Sequence, residues 1–235
     1  DSHFAPTAAA RQNLLREGVA AEAIHVTGKP VIDALHIVQD MPYDVDQGPL
    51  AGIPWEKRIV LVTAHRRENH GPPLEAICAA LQEIAGRYTD VHVVYPVHLN
   101  PHVQEPVYRL LGRHPQITLL PPLDYLPLVQ LMKRSHMVLT DSGGIQEEAP
   151  GLGKPVLVLR EKTERPEAVQ AGTVRLVGTD RARIVEAAAR LLEDDDFYRR
   201  MAQAVNPYGD GRAAGRIVGA LLGESSAGGC AQGPV

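Results

Sequence analysis

The stretch Met137-Val138-Leu139-Thr140-Asp141-Ser142-Gly143-Gly144-Ile145-Gln146-Glu147-Glu148-Ala149-Pro150, running on into Gly153-Lys154-Pro155-Val156-Leu157-Val158-Leu159, decides the fold. An apolar strand ends in a small polar turn, and Gly143 and Gly144 open a short helix carrying Gln146, Glu147 and Glu148. The bland reading of Glu147 and Glu148 is that, near a helix start, they complement the helix dipole and do nothing more. A strand that delivers a Ser-Gly-Gly turn to a helix start clusters unpaired backbone N–H groups, which suits a phosphate or diphosphate. Glycine lets a ligand approach that backbone with no Cβ in the way. Ser-Gly-Gly also makes ordinary turns, so the pattern needs support from elsewhere in the chain.

Working outward, the same strand–helix alternation repeats. Ile59-Val60-Leu61-Val62 is a continuous apolar run, as expected of a strand buried on both faces. Leu74, Ile77, Leu81, Ile84 and Tyr88 fall on one face of a helix that starts after Pro72 and Pro73. Val91–Tyr95 is the next strand and Val103–Gly112 the next helix; Ile117–Leu120 and Leu126–Lys133 repeat the pair. Val156–Leu159 and Val174–Val177 are further strands, and Ile184, Val185, Ala188, Leu191 and Leu192 form a last packing face. Short strands alternating with helices predict βαβ units and a mostly parallel sheet, an α/β Rossmann-like domain.

Towards the amino terminus, a short strand at His3–Pro6 leads to Thr7 as N-cap and a helix closed by Gly18. Ile24-His25-Val26 and a helix over Val31–Val38 follow, and residues 40–55 have the Gly/Pro/Asp content of a linker. The chain opens at Asp1 already in strand-like sequence and reads as though entered midway. Residues 195–222 read as two helices split by Asn206-Pro207-Tyr208-Gly209-Asp210-Gly211, and 223–235 as a disordered Gly/Ser/Ala-rich tail.

Composition narrows the function. With 44% hydrophobic and 22% charged residues over 235 positions, the chain has the make-up of a soluble globular protein. A formal charge of −4 and no basic block argue against a nucleic-acid surface. No apolar run is long enough to span a membrane. Cys78 and Cys230 have no metal or disulfide spacing, so a reducing cytoplasm is expected.

In open α/β sheets, ligands bind beyond the carboxyl ends of the strands. The polar clusters of this chain fall there: Thr63-Ala64-His65-Arg66-Arg67-Glu68-Asn69-His70, Pro96-Val97-His98-Leu99-Asn100-Pro101, Asp141–Gly144, and Arg160-Glu161-Lys162-Thr163-Glu164-Arg165-Pro166. Each has a bland reading: a capping His, a surface ion-pair cluster, a loop His. Together they make an anion site of cations and N–H donors.

Val62–Asn69, Tyr95–Pro101, Thr140–Pro150, Glu164-Arg165-Pro166-Glu167-Ala168, Gly172-Thr173-Val174-Arg175-Leu176-Val177-Gly178 and Asn206–Gly211 resemble the motifs of the non-hydrolysing UDP-N-acetylglucosamine 2-epimerases, in the right order over nearly all of residues 3–222. The resemblance implies the nucleotide-binding half of a two-domain fold like the GT-B glycosyltransferases. Residues 1–28 would end the amino-terminal domain, 29–205 would bind UDP, and 206–222 would cross back to the first domain. It further implies that Ser142, Gly143 and Gly144 hold the diphosphate and that Glu148 accepts the ribose hydroxyls. Arg165 and His65 would lie at the diphosphate, His65 closest to the chemistry, where a cationic group stabilises departing UDP. Arg66, His98 and Asn100 belong to matching motifs. Leu128 stands where well-known relatives carry a Phe beside the uracil, and Lys29 where they carry Asn.

The resemblance implies interconversion of UDP-GlcNAc and UDP-ManNAc for cell-surface polysaccharide synthesis, by elimination and re-addition of UDP, with no metal and no cofactor. The partners would be UDP-GlcNAc and UDP, with a homodimer at full length. The family's acid and base residues for sugar C2 come from an amino-terminal half, which does not precede Asp1 in this sequence. Two alternatives follow: a UDP-binding module without turnover, and half of a GT-B glycosyltransferase, which lacks the His65–Asn69 block.

Overall fold

A computed structural model describes residues 1–223 of the chain. The expectation of a disordered tail falls, from residue 224 onward, outside the described residues, as does Cys230. The chain divides into two units, Val38–Asn206, and Asp1–Ile37 together with Pro207–Val235.

The second of these opens with β1 (His3–Ala5), α1 (Ala8–Arg16), β2 (Ile24–Val26) and α2 (Pro30–Gln39). Thr7 caps α1 as its spacing predicts, accepting from the Ala10 N–H at 3.1 Å. β1 and β2 pair in parallel. At the turn before α2, Gly28 has φ +85°, and a Cβ there would lie 3.2 Å from Gly209 Cα and 3.3 Å from the Tyr208 carbonyl oxygen. Only glycine combines that conformation with that approach.

The larger unit carries β3 (Arg58–Thr63), α3 (Pro72–Arg87), β4 (Val91–Pro96), α4 (Pro101–Leu111), β5 (Ile117–Leu120) and α5 (Tyr125–Arg134). There follow β6 (Met137–Thr140), α6 (Gly143–Glu148), β7 (Val156–Val158), α7 (Pro166–Gln170), β8 (Val174–Leu176), α8 (Arg181–Glu193) and α9 (Asp195–Ala202). Its sheet runs β5-β4-β3-β6-β7-β8, every neighbouring pair parallel. The parallel α/β sheet expected from the sequence is the one observed. Sequence periodicity gave no sign of α7, a five-residue helix whose one buried residue is Ala168.

The central strands are apolar on both faces, as a two-sided sheet requires. Val60 and Val62 join a fully buried cluster with Leu74, Ile77, Leu81 and Ile84 of α3, Val103 and Val107 of α4, and Ile184 and Leu191 of α8. Ile59 and Leu61, equally buried, alternate with them to the opposite face. Pro72 and Pro73 occupy the first turn of α3, where a missing N–H costs nothing.

Among the described residues, the last helix of the smaller unit is α10 (Ala213–Leu221). The Asp33 carboxylate accepts the Ala213 and Ala214 N–H groups at 3.0 and 2.8 Å, satisfying the start of α10 from α2.

The strand order fixes where a ligand can enter. From β3 the chain builds outward to β4 and β5, then returns to the other side of β3 as β6, β7 and β8. The topological switch therefore lies between β3 and β6, where Thr63 pairs with Thr140 at their carboxyl ends.

Candidate functional site

The switch point is built around a buried carboxylate that the sequence reading treated as a turn residue. Asp141, fully buried, directly follows β6. Its carboxylate accepts the His65 N–H (2.9 and 3.1 Å), the Arg66 N–H (2.8 Å) and the Asn69 amide (2.9 Å). The Asn69 amide also donates to the Leu159 carbonyl at 3.1 Å. One side chain thus ties the loop after β3 to the loops after β6 and β7. The signal in the sequence was an acid placed right after an all-apolar strand: such a group must collect donors, and the nearest are the neighbouring strand's loop amides. Below it, the Thr63 and Thr140 hydroxyls meet at 2.6 Å, and the Ser142 N–H donates to Thr140 at 2.9 Å.

The imidazole of His65 lies above this floor, its Nδ1 3.6 Å from the Asp141 carboxylate and its ring stacked on His98 at 5.3 Å. Burial lowers its pKa below the ordinary 6.5; the Asp141 carboxylate acts in the opposite sense, and His98 and Arg66 add to the lowering. His98 accepts the Asn100 N–H at 3.0 Å, which orients its ring. The Asn100 side-chain oxygen caps α4 by accepting from the His102 N–H at 3.0 Å, so Asn100 shapes the loop that carries His98.

Two guanidiniums converge on the glycine turn. A methyl group on Gly143 would lie 3.5 Å from Arg165 Nη2 and 3.6 Å from Arg66 Nη2. Arg66 is paired with Glu164 at 3.2 Å, and Arg165 with Glu147. A hydrogen-bonded chain sets the Arg165 loop: the Arg165 N–H donates to Thr163 (3.1 Å), Thr163 to Gln146 (2.6 Å), and the Gln146 amide to the Ser142 carbonyl (3.1 Å). Gln146, fully buried, thereby couples the glycine turn to the arginine loop.

Glu147 and Glu148, read from sequence as complements to a helix start, instead end α6, which is only six residues long. The dipole argument does not apply at that end. Glu147 takes up Arg165, and Glu148 accepts the Tyr125 hydroxyl at 2.6 Å. Leu128, half-buried, stands one turn after Tyr125 on α5. The structure therefore gathers Ser142, Gly143, Gly144, His65, Arg66, Arg165 and His98 at the switch point, and Glu148 beside Gly144. Asp141, Asn69, Gln146 and Tyr125 are the residues that sequence reasoning did not single out.

The sequence profile of the UDP-N-acetylglucosamine 2-epimerases matches residues 1–222. The chain belongs to this family. The chain is 56% identical over 225 residues to the UDP-N-acetylglucosamine 2-epimerase of Escherichia coli K12, a match covering 93% of the chain and 60% of that protein. Among solved structures, it is similar to the Neisseria meningitidis UDP-GlcNAc 2-epimerase bound to UDP-GlcNAc (45% identity, TM-score 0.85, 94% of this chain and 61% of that one). It is also similar to the Methanocaldococcus jannaschii UDP-GlcNAc 2-epimerase in complex with UDP-GlcNAc and UDP (31% identity, TM-score 0.75, 94% and 61%). The chain thus spans about three-fifths of the family members it matches.

Proposed function

We propose that this chain supplies the UDP-binding half of a non-hydrolysing UDP-GlcNAc 2-epimerase. The observation that carries the reading is the convergence of Arg66 and Arg165 over Gly143, beside His65, at the switch point of a parallel sheet. The two guanidiniums and the amides of the Ser142–Gly144 turn would hold the diphosphate. Glu148 would accept from the ribose, and Leu128 would cover the uracil face. His98 would back the His65 ring, with Asn100 fixing their loop.

In the proposed reaction, a base removes the C2 proton of UDP-GlcNAc as the C1–O bond to UDP breaks, leaving 2-acetamidoglucal. UDP then re-adds at C1 while a proton returns to the opposite face of C2, giving UDP-ManNAc. His65, Arg66 and Arg165 act on the departing diphosphate, where negative charge develops. None of them is placed as the C2 base, which the reading assigns to residues outside this sequence. The complete protein would work in the cytoplasm as a homodimer, feeding cell-surface polysaccharide synthesis.

Incubation with UDP-GlcNAc in D₂O, followed by proton NMR, tests the division of labour. UDP-GlcNAc binding with no C2 exchange is the expected outcome for residues 1–235. Deuterium at C2 would place a base within these residues and overturn the division. Absence of UDP-GlcNAc binding would overturn the nucleotide reading itself.

A further inference from the structure

Glu148 is held in a way that ribose binding alone does not require. It is buried at the end of α6, and one carboxylate oxygen, Oε2, already accepts the Tyr125 hydroxyl at 2.6 Å. The other oxygen, Oε1, faces the glycine turn, 3.6 Å from where a Cβ of Gly144 would stand. A phenol–carboxylate bond of this length is charge-assisted and stronger than an ordinary hydrogen bond. Carboxylate rotation about its last torsion is otherwise soft, so this single contact decides which oxygen faces the turn.

We propose that Tyr125 is a positioning residue of the ribose subsite, clamping Glu148 so that Oε1 receives a ribose hydroxyl and ribonucleotides are preferred over 2′-deoxyribonucleotides. The inference rests on the UDP reading above. Tyr125 also begins the helix that carries Leu128 one turn later, so α5 sets the ribose and base contacts together.

Charge supports the same role. Burial raises the Glu148 pKa, the Tyr125 hydrogen bond lowers it, and Glu147 on the same helix raises it. Among these causes Tyr125 alone favours the ionised acceptor. Burial and Glu148 in turn push the Tyr125 phenol well above its usual range, so it remains a donor. Removing the hydroxyl leaves a carboxylate that takes up a proton at higher pH and then competes as a donor with the ribose.

The test is calorimetric binding of UDP and 2′-deoxy-UDP to the wild-type protein, Tyr125→Phe, Glu148→Gln and the double variant. Wild type should prefer UDP by about tenfold or more, the scale of a hydrogen bond to a charged group. Tyr125→Phe should lose most of that preference while binding 2′-deoxy-UDP nearly as wild type does, and its UDP affinity should fall more steeply on acidification. In the Glu148→Gln background, Tyr125→Phe should add nothing. Full preference retained in Tyr125→Phe, or wild type binding both nucleotides equally, overturns the clamp while leaving the UDP reading intact. A wild type that binds neither nucleotide overturns the UDP reading instead. Should Tyr125→Phe not fold, Tyr125→Leu, which also lacks the hydroxyl, carries the same readout: lost discrimination supports the clamp, and full discrimination sinks it.

Discussion

Asp141 and Glu164 are two acids at one site, held in opposite ways. Asp141 is fully buried and satisfied by two backbone N–H groups and an amide, none of them a full charge. Glu164 is exposed on the rim and shared between Arg66 and Arg160, which also pairs with Glu68. A buried acceptor cannot exchange its donors for water, so the floor has one geometry. The Arg66–Glu164 pair is solvated on both sides, worth about 1 kcal/mol or less, and can be reassigned when a better anion arrives. The floor fixes position; the rim supplies charge that Arg66 can turn from Glu164 towards a diphosphate.

The contrast is broken most severely at Asp141. Asp141→Ala leaves three donors without an acceptor and should cost on the order of 3 kcal/mol or more in urea unfolding, with loss of UDP binding. A smaller effect follows from His65. Its lowered pKa keeps the imidazole neutral near pH 7, and an arriving diphosphate raises that pKa, so ligand and proton bind together. UDP-GlcNAc binding near neutral pH should therefore take up protons, read from the dependence of binding heat on buffer ionisation. His65→Gln should abolish the uptake, and its persistence would assign the proton to another group. Linkage in the free protein has the matching sign: a depressed His pKa gives stability that is present above about 6.5 and lost as pH falls below it. The smallest effect belongs to the rim. Glu164→Ala should change stability by about 1 kcal/mol or less and raise UDP affinity about two- to threefold at low salt, a gain that disappears at high salt.

The same division governs what could be read from sequence. Ile59–Val62 and Met137–Thr140 announce themselves because burial on both faces demands continuous apolar runs. The histidine and arginines at the strand ends were visible because chemistry limits which residue types meet an anion. Asp141 was not, because its role is defined by donors arriving from the loop after β3, and spacing along one strand says nothing about them. Glu147 and Glu148 were assigned to the wrong end of their helix because the length of a six-residue helix is set by packing and not by periodicity. Tyr125 is in the same position: a half-exposed aromatic at a helix start carries no mark of the carboxylate 23 residues away that it holds.

The return of the chain from β5 to β6 also has a consequence in time. His65 and the carboxylate that holds its loop are separated by 76 residues. At synthesis rates of about 5–20 residues per second, Asp141 is added to the growing chain roughly 4–15 s after His65. Through that interval the amides of His65 and Arg66 lack their Asp141 acceptor, and the proposed nucleotide site is incomplete. Capture of UDP would thus report that the crossover to β6 is complete, making the ligand a selective stabiliser of finished chains over partial ones.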